Sequence, residues 1–242
     1  MRLDAFLADT SATDSRTDAK KFIISGAVSV NGQVITKPAY EVSGDEDIRV
    51  DKSSKKYASR GGLKLEAALD AFDIDVRDAL ALDVGASSGG FTDCLLKRGA
   101  THVIAVDSGS GQLVEALRAD SRVTVIENYN ARYMSQGDLE YTPTLAVMDV
   151  SFISAKLILP AVYNVLSAGG DYVCLIKPQF EVGRLGLNKK GIVKDAGLRK
   201  EAADDVVNFA NALGFKVLGL IESPVIGGDG NIEYLAYFRK ES

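Results

Sequence analysis

Seven short apolar runs in the second two-thirds of the chain limit its fold more than any other feature. They are Ala79–Val84, His102–Asp107, Arg122–Ile126, Leu145–Val150, Tyr172–Lys177, Lys216–Glu222 and Glu233–Arg239. Helical patterns fall between most of them, including Gly62–Phe72 and a longer one from about Asp195 to Leu213. Strands that are apolar throughout need cover on both faces, so the pattern predicts an α/β fold built on a mostly parallel sheet. In such sheets ligands bind at the carboxyl ends of the strands, where the strand order reverses. Asp107, Asp149 and Lys177 end apolar runs and Glu233 begins one. Charges placed in this way point to one shared cleft and to a cofactor-binding enzyme.

Residues 1–50 read as a separate, smaller α+β unit. Arg2–Leu7 is a short helix, and Ser15 or Thr17 can cap a second one ending at Gly26. Asn31-Gly32 between Val28–Val30 and Val34-Ile35 is a strong hairpin signal, and Ile48–Val50 is a third strand. The run Ser15–Lys21, the phrase Gly26–Gly32 and the closing Ile48–Val50 resemble the small RNA-binding module first recognised in ribosomal protein S-four. That resemblance implies that Arg16, Lys20 and Lys21 face RNA. Residues 51–59 read as a basic linker, and 60–242 as the larger domain.

Composition narrows the function classes. The two cysteines, Cys94 and Cys174, cannot form a disulfide scaffold and suit a reducing compartment. The single histidine, His102, leaves no Cys/His metal cluster, so no metal is expected. No run of about 18 apolar residues and no signal peptide is seen, so the expected location is the cytoplasm, with no membrane contact. The net charge of −5 argues against nucleic acid, but its distribution does not. Asp51–Glu66 carries five bases against two acids, and Ile176–Lys200 seven against two. Phosphate binding depends on such local patches. Lys55, Lys56, Arg60, Lys189 and Lys190 are therefore candidate RNA contacts, with solvated loops as the plain alternative.

The phrase Asp83-Val84-Gly85-Ala86-Ser87-Ser88-Gly89-Gly90-Phe91 joins a strand to a helix through small residues. Small residues admit a ligand close to the backbone, and the helix start offers free amides. The spacing is neither the dinucleotide fingerprint nor a phosphate loop. With Asp107 ending the next strand, where an acid can bind ribose hydroxyls, the combination looks like an S-adenosylmethionine site.

Longer phrases resemble the TlyA-type, or hemolysin A, family, which joins the RNA-binding module to an FtsJ-type methyltransferase. They are Ser59–Leu65, Asp83–Phe91, Asp149–Ser154, Lys177–Gly183 and Gly230–Tyr234. The resemblance implies a Rossmann-like sheet with one antiparallel strand, and methylation of ribose 2′-oxygens, of cytidine, in ribosomal RNA or ribosomal subunits. It also implies a catalytic set of Lys64, Asp149, Lys177 and Glu233, and an adenine contact from Asn130. Ribose 2′-hydroxyls are poor nucleophiles and must lose a proton as they attack. Lys177 is the candidate base or orienting group, Lys64 a neighbouring like charge, and Asp149 and Glu233 the groups that hold the ammoniums. Ser110 stands where the family pattern has a larger residue. Phe180, Tyr57 or an arginine plane is left for base stacking. Each catalytic candidate alone has a plain structural reading: a solvated helix lysine, a helix cap, a strand-end lysine and an edge-strand charge. Two other functions stay open, a non-catalytic RNA-binding or assembly protein and a membrane-lytic hemolysin.

Overall fold

The computed structural model describes residues 1–24, 26–51, 56–227 and 230–241. Helices α1 (Leu3–Asp9) and α2 (Arg16–Ile24) pack on a three-stranded antiparallel sheet of β1 (Val28–Val30), β2 (Gln33–Val34) and β3 (Ile48–Val50), in the order β2-β1-β3. The Asn31-Gly32 turn joins β1 to β2 with both residues at positive φ, 49° and 76°, as a tight hairpin of this twist requires. Ser15 Oγ accepts from the Asp18 N–H at 3.1 Å and caps α2. Leu3, Leu7, Phe22, Ile23, Val28 and Val30 close this small core.

A second sheet has seven strands in the order β6-β5-β4-β7-β8-β10-β9. These are β4 (Leu80–Val84), β5 (His102–Val106), β6 (Val123–Ile126), β7 (Leu145–Met148), β8 (Asp171–Ile176), β9 (Phe215–Glu222) and β10 (Tyr234–Lys240). Strand β10 runs antiparallel to both of its neighbours, and the other pairings are parallel. Alternate strand residues serve opposite faces. Leu82, Val84, Ile104 and Val106 pack with α6 (Leu159–Val165) and α7 (Ala196–Ala212). Ala81, Val103, Leu145 and Val147 pack with α3 (Gly61–Ala71) and α4 (Gly90–Lys97). A short helix, α5 (Glu115–Arg118), precedes β6. Cys94 and Cys174 are buried, as apolar patterning predicts, and His102 Nε2 lies 2.8 Å from Thr124 Oγ1 in a structural role. From β4 the chain moves outward through β5 to β6, then returns across β4 to β7. The order therefore reverses between β4 and β7, and the cleft opens there.

Candidate active site

Strand register assembles the cleft. Val106, Val84 and Met148 are paired across the sheet, so the next residues, Asp107, Gly85 and Asp149, emerge together at the carboxyl edge. Gly85 has φ +86°, and a Cβ on it would stand 2.4 Å from the Asp149 carbonyl oxygen. Only glycine lets β4 turn away while pressed against β7. A Cβ on Gly90 would stand 2.2 Å from Ser59 Oγ and 3.0 Å from the Gly62 nitrogen, so α3 and α4 begin in backbone contact.

Two joined cavities line this edge. One is bounded by Ser59, Arg60, Gly61, Lys64, Gly85–Ser88, Gly90, Phe91, Asp149, Ser151 and Lys177. The other is bounded by Asp107, Ser108, Gln112, Tyr129, Asn130, Val150, Phe152 and Ile153 among others, and shares Gly85, Ser87, Asp149 and Ser151 with the first. Asp107 is held by two backbone donors, Ser87 N–H to Oδ2 and Gly109 N–H to Oδ1, each at 2.7 Å. Asn130 Oδ1 accepts from the Arg132 N–H at 3.1 Å.

The four charged candidates meet as two ion pairs. Lys64 projects from α3 and donates to Glu233 Oε2 at 2.6 Å, both side chains being buried. Glu233 stands behind the Lys64 wall of the cleft because β10 is antiparallel. Tyr234 pairs with Ile176, so the start of β10 lies beside the end of β8, where Lys177 follows. Lys177 Nζ stands 2.6 Å from Asp149 Oδ1 and donates to Ser151 Oγ at 2.8 Å. Gln179 Nε2, from the turn that follows Lys177, donates to Glu233 Oε1 at 3.4 Å. Asp149 Oδ1 is buried and makes no hydrogen bond beyond the ion pair.

Other candidates stand elsewhere. Asp83 does not line the cleft. It is fully buried beneath the loop, where Thr92 Oγ1 donates to its Oδ2 at 2.6 Å and Oδ1 has no hydrogen bond. Burial above all, then repulsion from Asp149 and Asp107, pushes its carboxyl up to about 7 against the pull of Thr92. A Cβ on Gly89 would meet Leu113 and Leu117, so Gly89 turns toward helix packing and not toward the cleft. Tyr57 is buried, with its hydroxyl donating to Glu66 Oε1 at 2.9 Å, and has no face free for a base. Lys20, Lys21, Lys189 and Lys190 are exposed. Arg16 shares the buried Asp4 carboxylate with Arg2, and Lys56 is paired with Glu66. The Arg60 guanidinium donates to the carbonyls of Gly26, just before β1, and Ile226, in the β9–β10 loop, and so bridges the two units. Lys55 lies outside the described residues. Ser110 is exposed and lines neither cavity. Ser59, Ser151, Phe152, Gln112 and Gln179 join the site without having been singled out. Phe152 is 91% exposed, has φ 64°, and rests on Phe180 with ring centroids 5.2 Å apart.

The sequence pattern of the FtsJ-like methyltransferases matches residues 57–240, and that of the S4 domain residues 1–48. The chain belongs to the FtsJ-like methyltransferase family. This S-adenosylmethionine-dependent enzyme is 41% identical over 242 residues to a 16S/23S rRNA (cytidine-2′-O)-methyltransferase, TlyA, of Mycobacterium tuberculosis, covering 100% of this chain and 90% of that one. It is 43% identical to Hemolysin A of Brachyspira hyodysenteriae, covering 98% of this chain and 99% of that one. A solved structure of a hemolysin-named protein from Streptococcus thermophilus superimposes on the methyltransferase with TM-score 0.79 at 42% identity, covering 100% of this chain and 89% of that one. Among the described residues, no group of His, Cys, Asp and Glu could hold a metal, and no helix is long and apolar enough to cross a membrane.

Proposed function

We propose that this methyltransferase transfers a methyl group from S-adenosylmethionine to the 2′-oxygen of a cytidine ribose in ribosomal RNA, with Lys64, Asp149, Lys177 and Glu233 as the catalytic set. One observation carries the reading: Lys64, Asp149 and Lys177 line one cavity with the glycine loop, each lysine holding a carboxylate at 2.6 Å. The residues present fit the cofactor. Gly85, Ala86 and Gly90 line the cavity with short side chains or none, Asp107 suits ribose hydroxyls, and Asn130 lines the neighbouring cavity, where adenine fits. The Asp149 carboxylate, which borders both cavities, puts a negative charge where a cationic sulfonium would lie. The bound cofactor supplies an electrophilic methyl group on sulfur.

Lys177, once its ammonium has released a proton to solvent, orients the ribose hydroxyl and takes its proton as the oxygen attacks the methyl carbon and the sulfur leaves as a neutral thioether. Asp149, 2.6 Å away, stabilises the ammonium that forms. Lys64 and Glu233 hold the far wall, and Gln179 ties it to the Lys177 turn. In-line alignment supplies much of the acceleration. Phe152 offers an exposed aromatic face beside the cleft for a nucleobase. Lys20, Lys21, Lys189 and Lys190 are exposed and available to RNA phosphates, and the enzyme acts where ribosomal subunits are made, in the cytoplasm.

The test is transfer of labelled methyl from S-adenosylmethionine to purified subunits and to free ribosomal RNA. Label on ribose 2′-oxygens, reduced by about 100-fold or more in Lys177→Ala, is expected. Unchanged transfer in a folded Lys177→Ala removes Lys177 as the base. Cofactor binding without label on either substrate points to a different RNA.

A further inference from the structure

Glu181 takes no part in the chemistry above, yet both of its carboxylate oxygens are engaged. Oε2 accepts from Ser154 Oγ at 2.6 Å and Oε1 from the Ala155 N–H at 2.7 Å. Ser154 in turn caps the single helical turn Ala155–Leu157, its Oγ accepting from the Lys156 N–H at 3.3 Å. Just upstream the chain passes through Phe152 at φ 64°. Bulky side chains adopt that left-handed conformation only where the surroundings hold them in it.

The surroundings here form an ordered series of tethers between two short segments. Lys177 binds Asp149 and Ser151 at 2.6 and 2.8 Å. Phe180 supports the Phe152 ring at 5.2 Å. Glu181 binds Ser154 and Ala155. All three tethers start from one rigid turn. Pro178–Phe180 is a single 3-10 turn, flanked by Lys177 and Glu181 and closed by the Glu181 N–H on the Pro178 carbonyl at 3.0 Å. The far segment, residues 149–153, walls the cleft. Val150 and Ile153 also pack against the core, so the Glu181 anchor fixes the polar end of the segment, next to the strained Phe152, where packing holds it least.

We infer that Glu181 is a positioning residue for methyl transfer: it pins the Asp149–Ala155 loop to the Lys177–Glu181 turn and so sets where Asp149, Ser151 and Phe152 meet cofactor and ribose. This inference rests on the methyltransferase reading of the cleft.

The chain contains no tryptophan. Phe152→Trp therefore gives a single-tryptophan protein whose anisotropy reports the loop. Anisotropy and calorimetric affinity for S-adenosylhomocysteine are measured on that background with Glu181→Ala, Glu181→Gln and Ser154→Ala. kcat and KM for ribosomal RNA are measured on the natural Phe152 background. Glu181→Ala is expected to lower kcat by about 10- to 100-fold, weaken S-adenosylhomocysteine binding and lower the anisotropy, with little loss of melting temperature. Glu181→Gln restores most of each, because its amide oxygen still accepts from Ala155 and its NH2 can donate to Ser154 Oγ. Ser154→Ala costs less on the Glu181→Ala background than alone, since the two share the Ser154 Oγ–Glu181 Oε2 contact and what remains is the loss of the Ser154 cap.

Unchanged kcat and anisotropy in Glu181→Ala overturn the inference. So does a Glu181→Gln as impaired as the alanine variant with the loop still ordered, which would assign the effect to charge. If Glu181→Ala does not fold, Glu181→Gln and Ser154→Ala decide, the latter by loosening the loop in an intact protein. If the unaltered protein binds no S-adenosylhomocysteine, the methyltransferase reading fails, whereas the anisotropy series still tests the anchor by itself.

Discussion

Asp83 and the Lys64–Glu233 pair show how burial decides what a charged residue does. Asp83 looked like a cofactor ligand because it opens the glycine-rich phrase. Strand alternation turns it inward instead, level with Ala105 and Val147, toward Thr92 on α4. Its carboxyl is raised from 3.8 to about 7, so the folded protein holds a proton that the unfolded chain releases. Stability from this group is full below pH 4 and falls as pH rises toward 7, by on the order of 4 kcal/mol. Asp83→Asn is expected to flatten the dependence of melting temperature on pH between 4 and 7. An unchanged slope would mean that Asp83 is ionised in the fold. The Lys64–Glu233 pair is buried on both sides. Lys64→Met strands a buried carboxylate and should cost about 3 kcal/mol in urea unfolding. Adding Glu233→Gln should recover most of that stability and none of the methyl transfer, which separates packing from catalysis.

At the scale of elements, the join between β4 and β7 carries the site. The Gly85 position leaves no room for a side chain against the Asp149 carbonyl oxygen. Gly85→Ala is expected to destabilise the protein by about 2 kcal/mol and to reduce S-adenosylhomocysteine affinity at least tenfold by calorimetry. Equal affinity would show that β7 can shift without disturbing the cleft. All seven strands of the large sheet were legible in the sequence because each is a compact apolar run. Their ends shift by one or two residues, as where the run to Val150 gives way at Met148 and leaves Asp149 free to turn into the cleft. The roles of Ser151 and Phe152 were not legible. Both lie in the phrase Asp149–Ser154, but a left-handed aromatic and a serine beside Lys177 become significant only once β7 and β8 are neighbours.

Across the whole molecule, Arg60 ties the two sheets together. Its guanidinium donates to Gly26 in the first unit and Ile226 in the second, while its side chain also borders the cleft. Arg60→Ala should raise hydrogen exchange at residues 26–28 and 223–227. The slope of RNA affinity against salt should stay unchanged, because Arg60 is engaged with carbonyls and not with phosphate. Lys20→Ala should lower that slope by about one. A drop of similar size in Arg60→Ala would return Arg60 to the RNA surface.

The order and type of elements, the S4-like opening and the four charged residues that the fold gathers into two ion pairs were readable from the chain alone. Apolar runs, turn pairs and motif phrases are local, and local patterns survive in a linear sequence. Tertiary structure alone decided which lysine takes which carboxylate, that Asp83 supports the loop from beneath, that Tyr57 packs inside and that Arg60 bridges. Those outcomes depend on strand register, on the direction of β10 and on which face of a strand meets a helix. A one-residue change of register would send the same side chains to the opposite face, and no local pattern records that choice.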